Sequence, residues 1–326
     1  MKVVMENAKI SKRVRLILGL NEEKSWKCIE YYKSHEEWPI IGFSPDANFP
    51  GIYAEKGILS LELKNKFNIK NFEILNIDCQ GNALNVVPKY CSITLKSITN
   101  SNINLPSKNN IKLSSNNDII KIESFGIASH AAHPELGKNA ITLLVEYLLE
   151  NFEFSSDYLK YLYNIGIFDI ASPSLLKVKI EDETGILTSN IAMLEYKNDE
   201  LIIKNNLRIP CTYKLDEIFN KYYSIKEIYP NFEVSILNKQ EPLYVEKDNY
   251  LVKTLVNIFN NKTNLNLEPI AIGGGTYARA FKNFISYGAT MPGNKDMCHQ
   301  VDEFIEIDKL ILSSKIYAEA IYELAK

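Results

Sequence analysis

Two adjacent carboxylates, Glu22 and Glu23, close the apolar run Val14–Leu20. Side chains of neighbouring residues diverge, so one acid can hold a metal while the other faces substrate and water. Close carboxylates also raise one another's pKa, which suits a general base working near neutrality. Asp46 follows Pro45 at the end of a second short apolar stretch, Ile40–Phe43, and reads either as a turn residue or as a metal ligand. His299 follows a glycine turn and precedes Asp302 and Glu303. Acid, acid and histidine at three strand ends form a set that a hard or borderline cation such as Zn²⁺ takes.

Three further groups could meet a substrate. His130 and His133 lie in a loop of small residues; either is a surface histidine or a protonatable group that polarises a carbonyl or stabilises an oxyanion. His130, flanked by Ser129 and Ala131, is the better candidate. Gly273–Ala278 fits G-x-G-x-x-A, a weak dinucleotide signal here because no acid ends the next strand to take a ribose. A glycine-rich turn that opens a helix also binds any anion, a peptide carboxylate included, through its N–H groups. Arg208 could clamp the same carboxylate with a bidentate pair.

The elements around these residues suggest how they are positioned. Val14–Leu20 reads as a buried strand, an amphipathic helix carries Trp26, Ile29, Glu30 and Lys33, and Ile40–Phe43 reads as a second strand, which together predict a βαβ unit with acids at its carboxyl ends. From Gly57 the texture changes to short alternating strands such as Ile58–Leu63, Tyr90–Leu95 and Ile119–Phe125. Helices are predicted from Ile141 onward, at Leu215–Tyr223, at Tyr250–Phe259 and at Ile307–Ala325. The fold class is α/β: a split domain, residues 1–56 and 241–326, interrupted by a two-part α+β lid domain, residues 57–240.

The chain has 326 residues and a net charge of −3, so it holds no basic excess to neutralise nucleic-acid phosphates. Its five cysteines are scattered, and no short spacing pairs them; that suits a reducing cytoplasm, and no CxxC metal knuckle is present. No apolar run approaches the ~20 residues of a membrane span.

With these residues in place, the sequence resembles one family. Arg15–Glu23, Phe43–Pro50, Ala54–Gly57, Asn85–Pro88, Ser129–Pro134 with Gly137–Ala140, Gly273–Arg279 and Cys298–Glu303 resemble the motifs of PepV-type dipeptidases. These enzymes belong to a dinuclear-zinc peptidase superfamily that also holds carboxypeptidases, aminoacylases and succinyl-diaminopimelate desuccinylase. The resemblance implies that Glu22 is the general base and that Glu23, His299 and Asp46 are metal ligands. By the same likeness His130 stabilises the oxyanion, and Arg208 with Gly274, Gly275 and Thr276 holds the C-terminal carboxylate of a dipeptide. It further implies two zinc ions in intact relatives, with Mn or Co as substitutes, and a monomer whose lid mimics a dimer partner.

One departure qualifies this. The family's upstream His-x-Asp motif and metal-bridging Asp should precede Met1, so the catalytic domain is expected to be truncated at its N-terminus. The chain as written is then expected to be impaired or inactive unless a separately encoded segment supplies them. The alternatives are a non-catalytic relative that at most binds peptides, a related metallo-carboxypeptidase or deacylase, and a nicotinamide oxidoreductase built on Gly273–Ala278.

Overall fold

The computed structural model describes residues 6, 9–22, 26–79, 83–99, 105–294, 297 and 302–326. The chain divides into two compact units, residues 1–56 with 242–326, and residues 57–241. In chain order the first passage holds α1 (Lys27–His35), β1 (Gly42–Ser44) and β2 (Ile52–Glu55). The second holds β3 (Gly57–Lys66), β4 (Phe72–Cys79), β5 (Tyr90–Ser97), β6 (Ile111–Asn116), β7 (Ile119–Phe125), α2 (Ala140–Asn151) and α3 (Tyr158–Asn164). It continues with β8 (Glu181–Asp182), β9 (Gly185–Ile186), β10 (Thr188–Lys197), β11 (Glu200–Ile209), α4 (Leu215–Tyr223) and β12 (Glu233–Gln240). The last passage holds β13 (Leu243–Tyr244), α5 (Tyr250–Thr263), β14 (Ile270–Ile272), β15 (Phe284–Ser286) and α6 (Ile307–Ala325).

In the first unit a mixed sheet runs β1–β15–β2–β13, with β14 also on β2. β1 pairs parallel to β15 with Ser44 opposite Ser286, and β14 pairs parallel to β2 with Ile272 opposite Glu55. All four residues of β2 are buried, as expected of a strand covered on both faces. Helix α6 packs against α5, burying Ile316, Ala320 and Leu324 on one stripe.

The predicted strand Val14–Leu20 does not form: the segment has no strand geometry, and Leu16, Leu18 and Leu20 are exposed. An apolar run becomes a strand only where a neighbour completes its backbone hydrogen bonds. Here side chains hold it instead. Arg15 Nη1 donates to Tyr32 Oη at 2.6 Å, Glu36 at 3.2 Å and the Glu37 carbonyl at 3.1 Å, tying the segment to the end of α1. The predicted βαβ unit therefore reduces to α1 and β1.

The second unit contains two four-stranded antiparallel sheets, β10–β11–β3–β12 and β4–β5–β7–β6. One apolar cluster fills it, drawing on Leu59, Leu61 and Leu63 of β3, Ile93 and Leu95 of β5, and Ile141, Leu144, Val145 and Leu148 of α2. Helix α2 starts where the Asn139 side chain accepts from the N–H groups of Ile141 (2.9 Å) and Thr142 (3.3 Å), an N-cap. Polar residues inside the sheet are paired: Asn206 Nδ2 donates to Ser60 Oγ at 2.8 Å, and Ser189 Oγ to Asn205 Oδ1 at 3.2 Å.

The cysteine reading also needs correction. Cys79 and Cys91 form a disulfide, because the β4–β5 register sets them directly opposite each other. Unpaired thiols thus no longer support a reducing compartment. Among the described residues no helix is long and apolar enough to cross a membrane.

Candidate functional site

In the first unit, Asp46 follows β1 and the glycine turn follows β14, each beyond the carboxyl end of a strand in a parallel pair. Asp46 stands two residues beyond β1, exposed, with its N–H donating to the Ser44 carbonyl at 2.8 Å and its Oδ1 accepting from Ala47 N–H at 2.9 Å. Burial, followed by the Asp46 charge, pushes the Tyr317 phenol up. Glu22 is half-buried, and its carbonyl accepts from Trp26 Nε1 at 2.6 Å. The preceding Asn21 N–H donates to Tyr277 Oη at 3.1 Å, and the Trp26 and Tyr277 rings meet edge-on with centroids 5.3 Å apart. Burial raises the Tyr277 phenol, with further contributions from Cys28 and from the Glu22 charge. Tyr277 follows Thr276 directly, so Asn21, next to Glu22, is tied to the residue that follows the glycine turn.

That turn rests on a buried carboxylate to which the sequence reading gave no role. Glu55, at the end of β2, is fully buried. Its Oε1 accepts from Thr276 Oγ1 at 2.7 Å and Ser286 Oγ at 3.0 Å. Its Oε2 accepts from Thr276 N–H at 3.1 Å and Arg279 Nε at 3.0 Å. Arg279 Nη2 then donates to the carbonyls of Gly274 (2.9 Å) and Lys56 (3.1 Å). A Cβ on Gly275 would meet the Arg279 guanidinium at 2.7–3.0 Å, so only glycine fits there. The motif Ala54–Gly57 had marked Glu55 without hinting at its partners.

Two expectations for the turn change. Thr276 was expected to bind a substrate carboxylate, but its N–H and hydroxyl are both turned onto Glu55. The turn opens a four-residue 3₁₀ segment, Tyr277–Ala280, and not an α-helix, so it lacks the helix N-terminus on which a dinucleotide pyrophosphate would sit.

The second unit carries His130 and Arg208. His130 is exposed on a loop stitched to its neighbours: Val87 N–H donates to the Ser129 carbonyl at 2.8 Å and Ala131 N–H to the Asn85 carbonyl at 2.8 Å. Ala132 N–H donates to His130 Nδ1 at 3.2 Å, which in the neutral ring leaves the proton on Nε2. Arg208 lies on β11, 4% exposed, opposite Thr188, whose hydroxyl donates to the Ala131 carbonyl at 3.3 Å. Arg208 Nε donates to Asn206 Oδ1 at 2.8 Å, which fixes the plane of the guanidinium. His130 and Arg208 thus share one local framework.

Glu23 and His299 lie outside the described residues. Among the described residues no group of three or more His, Cys, Asp or Glu side chains is placed to hold a metal ion. Of the three expected ligands, only Asp46 is located. The donor chemistry of two carboxylates and one imidazole suits a borderline divalent cation.

The chain is similar to known proteins along nearly its whole length. The family model described as peptidase family M20/M25/M40 matches residues 3–323. The chain is 36% identical to "Putative dipeptidase YtjP" of Bacillus subtilis strain 168, covering 100% of this chain and 73% of that relative. It is 33% identical to a Staphylococcus epidermidis protein of the same dipeptidase designation, covering 96% of this chain and 70% of the other. Among solved structures, the aminopeptidase PepT of Bacillus cereus aligns over 88% of this chain at 13% identity with a TM-score of 0.45, and the chain spans 57% of that protein. The molecule is a mixed α/β protein of the metallopeptidase class. The chain belongs to peptidase family M20/M25/M40.

Proposed function

We infer that the chain carries the base and substrate-binding groups of a metal-dependent dipeptidase, zinc being the ion that its donor set suits best. The observation that carries the reading is the hydrogen bond from Asn21, the residue before Glu22, to Tyr277, the residue that follows the glycine turn. The dipeptidase designation of relatives more than 30% identical supports the substrate class. Residues 1–56 with 242–326 form the catalytic domain in this reading, and residues 57–241 the lid.

Glu23, Asp46 and His299 would hold the ion. When bound, a divalent cation polarises the scissile carbonyl and lowers the pKa of a water. Glu22 takes the proton of the attacking water as the C–O bond forms, then passes it to the leaving amine as the C–N bond breaks. In the second unit, the Nε2–H of His130 is the candidate donor for an oxyanion. In the first unit Gly274 and Gly275 offer main-chain contacts to the substrate; in the second, Arg208, held in plane by Asn206, is the candidate cation for a C-terminal carboxylate.

Assaying unblocked dipeptides beside N-acetylated amino acids and longer peptides tests the substrate class. The reading expects cleavage of unblocked dipeptides alone. Preferential release of acetate or of C-terminal residues from longer peptides would instead assign a deacylase or a carboxypeptidase.

A further inference from the structure

We propose that Glu55 is a positioning residue: through Arg279 and Thr276 it sets two successive peptide groups so that Gly275 turns both its N–H and its C=O toward the substrate main chain. This rests on the reading of the turn as a substrate contact, and it specifies which groups of the turn do the binding.

The geometry follows from peptide planarity. Across a trans peptide the carbonyl and the following N–H point in opposite directions, and neither peptide of Gly274–Thr276 is among the cis bonds. The Gly274 carbonyl points at Arg279 Nη2, at 2.9 Å, so the Gly275 N–H points away from Arg279. Thr276 N–H points at Glu55 Oε2, at 3.1 Å, so the Gly275 carbonyl points away from Glu55. One donor and one acceptor of a single residue therefore face away from the buried cluster. That pair matches the main chain of an extended peptide, as a strand edge would.

Glu55 is the hub because its acceptor capacity is filled by the groups that define the turn. The Thr276 N–H, the Thr276 and Ser286 hydroxyls, and Arg279 Nε all donate to it. The guanidinium then reaches the Gly274 carbonyl from the same side on which Gly275 packs against it. Neither Arg279 nor Thr276 is spent on substrate. A lysine at position 279 would keep the charge but lose the planar fork that serves Glu55, Gly274 and Lys56 together.

Dipeptide affinity measured by titration calorimetry tests the role. The probe is L-Ala-L-Ala with zinc added, and the full chain carries Glu22→Gln so that the probe is not consumed. Glu55→Gln and Arg279→Lys, each added to that background, are expected to weaken binding about tenfold, the scale of one hydrogen bond to a charged group. Leu255→Ala, a buried residue of α5 remote in function, is expected to lower the melting temperature while leaving affinity within about twofold. If Glu55→Gln does not fold, Arg279→Lys decides, because it preserves the buried charge pair. A background chain that binds the dipeptide with unchanged affinity in both variants overturns the positioning role alone. A background chain that binds no dipeptide overturns the reading of the turn as a substrate contact, and the role falls with it.

Discussion

Arg279 and Glu55 form an ion pair of 3.0 Å between side chains that are 4% and 0% exposed. The pair closes the space between β2 and the glycine turn and joins residues 224 positions apart in sequence. A buried charge pair of this kind tolerates the loss of both partners better than the loss of one.

Stability should show that asymmetry. Glu55→Ala leaves a guanidinium buried without its carboxylate and is expected to cost about 3–5 kcal/mol. The double replacement Glu55→Gln with Arg279→Met should cost clearly less than the sum of its single variants. Urea unfolding of the four chains measures the coupling; strict additivity would mean that the two side chains do not act as a pair.

The role of Glu22 separates chemistry from binding. Glu22→Gln keeps the size of the side chain but removes the base, so hydrolysis should fall about 10²–10⁴-fold while dipeptide affinity stays near that of the parent. Parallel kinetic and calorimetric titrations check this. A rise in KM with unchanged kcat would make Glu22 a binding residue.

In the second unit, Asp182 supplies a pH-dependent tie. Burial acts to raise its carboxyl, but hydrogen bonds from Thr184 and Thr212 outweigh that and hold it below the usual range. Its oxygens accept from Thr184 N–H at 2.6 Å and from Thr212 N–H at 2.8 Å. A depressed folded-state pKa contributes stability that is present above the unfolded value, about 3.9, and is lost as pH falls through the folded value. Asp182→Asn should therefore destabilise the chain at neutral pH, and the difference from the parent should shrink below about pH 3.9. A difference that is constant from pH 7 to pH 3 would rule out this linkage.

The disulfide makes a further prediction. Closing the 12-residue separation between Cys79 and Cys91 should stabilise the second unit by about 2–3 kcal/mol. Both thiols should alkylate only after reduction, and Cys79→Ser with Cys91→Ser should lower the unfolding midpoint only under non-reducing conditions. Alkylation of both cysteines without reductant would contradict the pairing.

Local pattern carried much of the fold. The 3.6-residue spacing of apolar positions made Leu215–Tyr223 and Ile307–Ala325 legible as helices, and alternation did the same for the strand Ile119–Phe125. Long-range relations were not legible. Val14–Leu20 has the composition of a buried strand, but composition does not say whether a neighbouring strand is there to pair with it. Cys79 meets Cys91 through strand register, which a one-residue slip would abolish and which no spacing rule states. Glu55 stood in a recognisable motif, yet its partners Thr276, Arg279 and Ser286 lie more than 200 residues away. Arg208 was legible as a cation at a strand end, but the buried Asn206 that holds it in plane was not.

The central claim is that this chain's carboxylates direct metal-dependent cleavage of a dipeptide. The most direct measurement is release of free amino acids from an unblocked dipeptide as zinc is titrated into the purified chain, with Glu22→Gln run alongside. Release that rises with added zinc, stops on chelation and is lost in Glu22→Gln is expected. Release that is indifferent to zinc and persists in Glu22→Gln, or no release at any zinc concentration, would contradict it.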